Sequence, residues 1–257
     1  MKPPASPAPA EASASAASAS ASASPAPAEA SAPRPARWPA EVPPRAAGPA
    51  ITHLLYLHGF RSSPASFKAQ RVAARVQALQ AAGRPLVWAC PQLPGTPAQA
   101  LRQVRDAVAA WPAASMAVIG SSLGGFYADL IAQERGCRAV LLNPAVNPAR
   151  DLARHIGSHP SWHDPATQIV FTAADVADLA AMQAARGRPG AQTLAVIATG
   201  DEVLDAAEMQ AHCAGARCWI GEGGDHALSD FDTVFAAVQH FLGLDVVRGD
   251  GDPPGLP

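Results

Sequence analysis

Along the middle of the chain, short runs of consecutive apolar residues alternate with longer stretches where apolar residues return every three or four positions. The runs "ITHLLYLHGF", "PLVWACPQ", "MAVIG", "RAVLLNPAV", "TLAVIATG" and "RCWIGEGG" predict strands. They are nearly free of polar positions, as expected of strands covered on both faces. The stretches between them predict helices. "SFKAQRVAARVQALQAAG" sets Val72, Val76 and Leu79 on one helical face and stops at Gly83. "TPAQALRQVRDAVAAW" opens with Thr96 as N-cap and Pro97 at the first helical position. Thr172 and Asp175 in "TAADVADLAAMQAARG" are spaced for a capping box. "LGGFYADLIAQERG", "DAAEMQAHCAG" and "SDFDTVFAAVQHFLG" complete the helices. The region "NPARDLARHIGSHPSWHDPATQIVF" breaks the alternation and reads as a short helix mixed with turn residues, material for a minimal lid.

Strand–helix alternation of this kind predicts an α/β fold: a mostly parallel sheet with helices on both faces. Ligands of such sheets bind beyond the carboxyl ends of the strands. His58, Gly59, Ser122, Asp201 and His226 each fall just past a predicted strand, on one rim.

Composition sets the boundaries. Residues 1–48 are almost all Ala, Ser and Pro and have too little to bury to offset chain entropy, so a disordered extension is expected there. One globular domain is expected over 49–245, and a disordered Gly- and Pro-rich tail over 246–257. Lys2 is not followed by the apolar core of a secretory signal, and no apolar run of about 18 residues predicts a membrane span. A net charge of −2 gives no electrostatic reason to expect nucleic acid. Cys90, Cys137, Cys213 and Cys218 form neither a CxxC pair nor a zinc-type spacing, which fits a reducing cytoplasm.

The chemistry centres on "AVIGSSLGGFY". Gly120-Ser121-Ser122-Leu123-Gly124 is G-x-S-x-G, with Ser122 at its centre. A strand before it and a helix after it predict a sharp turn that displays the hydroxyl and aims the Leu123 N–H at a developing oxyanion. A serine nucleophile needs a base, and in this architecture the acid and then the histidine follow it in the chain. His226, after the glycine turn "GEGGD", is the expected base. Asp201, directly after a strand and its terminal glycine, is the expected orienting acid; Asp205, with Glu208 three residues on, reads as a helix start. Phe60, in the loop after the first core strand, is the expected second N–H donor, and His58 a loop anchor. Arg61, Phe126, Trp162 and Leu204 are expected substrate-binding residues. His155, His159 and His163 are four apart, but Gly157 and Pro160 interrupt any helix that would bring them to one metal, so no metal is expected.

The blocks "LLYLHGFRSSPASFKAQ", "CPQLPGTP", "VIGSSLGGFYADL", "LLNPAVNPARDL", "TGDEVLD" and "EGGDHAL" together resemble the YqiA-type esterases of the α/β-hydrolase superfamily, from about Leu54 to Leu244. The resemblance implies a cofactor-free hydrolase of acyl esters or thioesters, with Ser122, Asp201 and His226 as its triad. The chain departs from the family at Asp225, where members often carry Asn. Small or flexible acyl esters are the expected substrates; an acyl-CoA thioester hydrolase and a non-catalytic binding protein of the same fold are the alternatives. Neither a membrane nor a nucleic-acid partner is expected.

Overall fold

A computed structural model of the chain describes residues 35–162 and 164–245. The expectations for 1–34 and 246–257, and for His163, lie outside the described residues.

All six predicted core strands form: β2 (His53–Leu57), β3 (Val87–Ala89), β4 (Met116–Ser121), β5 (Arg138–Leu142), β8 (Thr193–Ala198) and β9 (Arg217–Gly223). They make a parallel sheet in the order β9-β8-β5-β4-β2-β3. Side chains alternate between its faces, as a period of two requires. Leu55, Leu57, Val118, Leu141 and Ile197 pack under α2 (Pro97–Val108), α3 (Leu123–Arg135) and α6 (Ala206–His212). Leu54, Tyr56, Ile119, Val140 and Val196 pack under α1 (Phe67–Ala81) and α7 (Phe231–Leu242). Both faces are therefore core, which is why these strands read as unbroken apolar runs. Pro97 sits in the first turn of α2, behind Thr96, and Asp205 caps α6 by accepting from Ala207 and Glu208 N–H.

Two elements differ from the sequence reading. First, the expected disorder over residues 1–48 does not hold where that segment is described. Residues 35–48 cross the β9 edge: β1 (Ala36–Arg37) pairs antiparallel with β9, and Trp38 stacks on Trp219 at 4.5 Å between ring centres. The Trp38 indole N–H donates to Asp230 at 2.6 Å, and the Ala46 N–H to the Phe241 carbonyl at 2.9 Å. A sheet edge left open presents unpaired backbone groups. Ala-Arg-Trp satisfies that edge despite its low-complexity surroundings.

Second, the region after β5 is more ordered than turn residues alone suggest. The short helix α4 (Pro148–Leu152) leads to a hairpin, β6 (Gly157–Pro160) with β7 (Gln168–Phe171), and then to α5 (Ala173–Ala185). The predicted capping box opens α5: Asp175 N–H donates to Thr172 Oγ1, and Thr172 N–H to the Asp175 carboxylate. Phe171 is buried and Ile169 packs on Gly95, so the hairpin lies over the loops at the carboxyl rim.

Candidate active site

The turn from β4 to α3 is built by close backbone approach. A Cβ on Gly124 would lie 2.0 Å from the Leu57 carbonyl oxygen, and one on Gly120 would lie 2.2 Å from the Gly124 carbonyl oxygen. Only glycine fits either place, which accounts for both glycines of G-x-S-x-G. Between them Ser122 takes φ 56°, ψ −122°, a conformation costly for any residue with a Cβ. Its N–H donates to the Leu142 carbonyl at 3.0 Å, and its carbonyl accepts from Gly125 and Ala145 N–H. The turn is thus anchored on both sides while the hydroxyl stands free of the strand. Ser121, by contrast, ends β4 buried, near the Tyr56 phenol.

Three side chains distant in sequence meet at this rim. His226 Nε2 lies 3.1 Å from Ser122 Oγ, and His226 Nδ1 lies 2.7 Å from Asp201 Oδ2. The Asp201 side chain is fully buried, and its Oδ1 accepts from the N–H groups of Val203 and Leu204, both at 2.8 Å. Those bonds aim the other carboxylate oxygen at the imidazole and fix Nδ1 as the protonated nitrogen. Nε2 is left as an acceptor facing the serine hydroxyl.

Side chains that the sequence reading did not single out hold the His226 loop. The His226 N–H donates to Glu202 Oε2 at 3.0 Å, and the Lys68 ammonium donates to the Ala227 carbonyl. Asn143, at the end of β5, donates to the carbonyls of Asp225 and His226. The one available signal was the position of Asn143, a polar residue directly after an apolar strand on the ligand-binding rim. The Asp225 carboxylate accepts from Ser229 N–H and Oγ, and so closes the turn after the histidine.

Gly59 lies against Ser122: a Cβ there would be 3.3 Å from Ser122 Cβ and 3.7 Å from Ser122 Oγ. Beside it opens a cavity of about 20 Å³, lined by Phe60, Leu93, Leu123, Tyr127 and Ile169 among others. His58 anchors this loop as expected, accepting from the Leu93 N–H through Nε2 at 3.1 Å, with Nδ1 3.0 Å from the Gly59 carbonyl.

Of the four expected substrate-binding side chains, only Arg61 borders this cavity. Its Nε donates to the Pro160 carbonyl at 2.9 Å and its guanidinium lies over Trp162, so it ties the loop after β2 to the hairpin. Trp162 is 70% exposed at the hairpin turn. Phe126 and Leu204 are corrections: both are buried in the core. Phe126 points beneath the turn, under the Arg186 guanidinium, because four residues past Ser122 is one helical turn inward. His155 and His159 pack beside Phe60 in the cap, and His159 Nε2 contacts the His155 carbonyl at 2.7 Å. Among the described residues no three His, Cys, Asp or Glu side chains group as metal ligands, and all four cysteines are free.

A mostly parallel sheet with this strand order, a serine on the turn after its central strand, and acid and histidine on later loops define an α/β-hydrolase. Three solved structures share the fold. Est1E from Butyrivibrio proteoclasticus, determined with ferulic acid bound, has a TM-score of 0.54 at 16% identity, covering 75% of this chain and 88% of its own. A metagenome-derived lipolytic enzyme described with the pair LipS and LipT has a TM-score of 0.53 at 16% identity, covering 78% and 96%. A monoacylglycerol lipase from Paleococcus ferrophilus has a TM-score of 0.51 at 14% identity, covering 76% and 96%. The chain belongs to the YqiA-like family described as "Uncharacterised protein family (UPF0227)", whose model matches residues 53–243.

Proposed function

We propose that this protein is a serine esterase that hydrolyses small acyl esters. One observation carries the reading: the unbroken chain of contacts from Ser122 Oγ through the His226 imidazole to the buried Asp201 carboxylate.

Ser122 Oγ attacks the acyl carbonyl carbon as His226 Nε2 takes the hydroxyl proton. The carbonyl π electrons move onto oxygen, where the N–H groups of Leu123 and Phe60 receive the charge. The intermediate collapses, and the C–O bond to the alcohol breaks as His226 returns its proton to the leaving oxygen. Water, deprotonated by His226, attacks the acyl-enzyme and frees the acid and Ser122. Asp201 keeps the proton-bearing nitrogen on its own side and stabilises the imidazolium that forms in each half. Every group required is a side chain or backbone N–H of this chain.

The cavity beside Gly59 has room for one or two water-sized groups. That supports a short acyl group on this side of the serine. Arg61 donates its Nε to the Pro160 carbonyl and lies over Trp162, and an acyl-CoA thioester stands as the alternative substrate. We infer a reducing, cytoplasmic setting from the four unpaired cysteines. No helix among the described residues is long and apolar enough to cross a membrane.

A fluorophosphonate probe tests the class: covalent labelling of the parent protein is expected, and none of Ser122→Ala. Failure to label the parent would favour a binding protein of hydrolase fold. In an ester and thioester panel, acetyl esters are expected to turn over faster than feruloyl esters or acyl-CoA thioesters. The opposite ranking would overturn the substrate assignment.

A further inference from the structure

Asn143 directly follows β5, is fully buried and has φ +40°. Its backbone N–H donates to the Val196 carbonyl at 2.9 Å. Its side chain works at both ends: Oδ1 accepts from the Ala198 N–H at 2.9 Å, while Nδ2 donates to the Asp225 carbonyl at 3.1 Å and the His226 carbonyl at 3.3 Å. One amide therefore ties the end of β8, three residues before Asp201, to the loop that carries His226. The strand it leaves also supports the nucleophile, through the Ser122 N–H bond to the Leu142 carbonyl.

We propose that Asn143 is a positioning residue, a clamp that holds the His226 backbone where its imidazole can bridge Ser122 and Asp201. This rests on the esterase reading. The place demands a donor and an acceptor on one short planar group at a positive φ. Asn supplies all three; an ionised Asp lacks the donor. The other two side chains bonded to this loop, Glu202 and Lys68, are reached from more accessible positions. Asn143 is the buried tie.

Asn143→Asp tests the clamp at nearly constant shape. The Ala198 bond survives. When protonated, the new carboxyl donates its O–H to one loop carbonyl. When ionised, it faces two carbonyl oxygens with no donor, and the loop moves. Burial favours the neutral form. The titratable residues it meets are Asp225 and His226, through their carbonyls; Glu202 and Lys68 bond the same loop, and Asp201 bonds the His226 ring. The expected result is an alkaline limb in kcat that the parent lacks, with KM unchanged and a loss reaching about 10²-fold, the usual consequence of a displacement near 1 Å. Asn143→Gly tolerates the backbone and lacks both bonds, so it is expected to lose kcat by about 10²-fold at every pH with no new limb.

If Asn143→Asp does not fold, Asn143→Gly decides by its kcat. Two folded variants with parental kcat and pH profile would overturn the clamp, as would a raised KM at unchanged kcat. So would failure of both to fold, since the residue would then serve the fold rather than the histidine. A parent that hydrolyses no ester would instead remove the reading beneath it.

Discussion

The backbone of Ser122 offers a direct measure of what the site costs the fold. At φ 56°, ψ −122° a side chain is strained by about 1–3 kcal/mol. Ser122→Ala removes the hydroxyl and keeps the Cβ that causes the strain. Ser122→Gly removes both. Glycine gives back roughly 0.5–1 kcal/mol through the entropy of the unfolded chain. The half-buried methyl lost relative to Ala is worth about 0.4 kcal/mol. With a mid-range strain, Ser122→Gly is expected to be more stable than Ser122→Ala by about 1 kcal/mol, or about 2–4 °C in Tm for a domain of this size. Scanning calorimetry on the two variants reads the difference directly, and both lack the Ser122 hydroxyl, so the comparison isolates the backbone. A glycine variant that melts at or below the alanine variant would hold the strain to about 1.4 kcal/mol or less, and the account of the turn as a mid-range strained conformation would fail.

Three further outcomes are expected. Asp129 and Arg186 form a buried pair beneath the turn at 3.6 Å, with His212 2.8 Å from the same carboxylate. Asp129→Asn strands a buried guanidinium and should cost about 3–5 kcal/mol in urea denaturation, whereas a loss under about 1 kcal/mol would mean the guanidinium finds water. Trp38→Ala deletes the stack on Trp219 and the bond to Asp230 and should cost about 3 kcal/mol; an unchanged urea midpoint would show that the N-terminal strap adds nothing to stability. Burial lowers the Lys68 ammonium from its ordinary 10.5 to about 8, against the pull of Asp225 and Asp201. Between those values the unfolded chain binds more protons than the folded one, so this group makes stability rise with pH from about 8 to 10.5. Chemical denaturation across that window should show the rise in the parent and its loss in Lys68→Met; equal slopes would refute it.

The sequence by itself determined the alternation of strands and helices, the parallel sheet, and Ser122, Asp201 and His226 at strand ends. These follow from local causes. An apolar run must be covered, a period of three or four makes a helical face, and two glycines around a serine allow only one kind of turn. Tertiary structure decided what depends on distant partners. Ala36-Arg37-Trp38 is strand and strap because β9 has an open edge and Trp219 a free face. The β6–β7 hairpin exists because Phe171 and Ile169 find the rim loops to bury against, which no period in "GSHPSWHDPATQIVF" announces. Phe126 turned inward because one helical turn from Ser122 already points at the core. Asn143 gained its place when β8 and the His226 loop arrived at either end of its amide, and hydrogen bonds between segments tens of residues apart leave no local pattern to read.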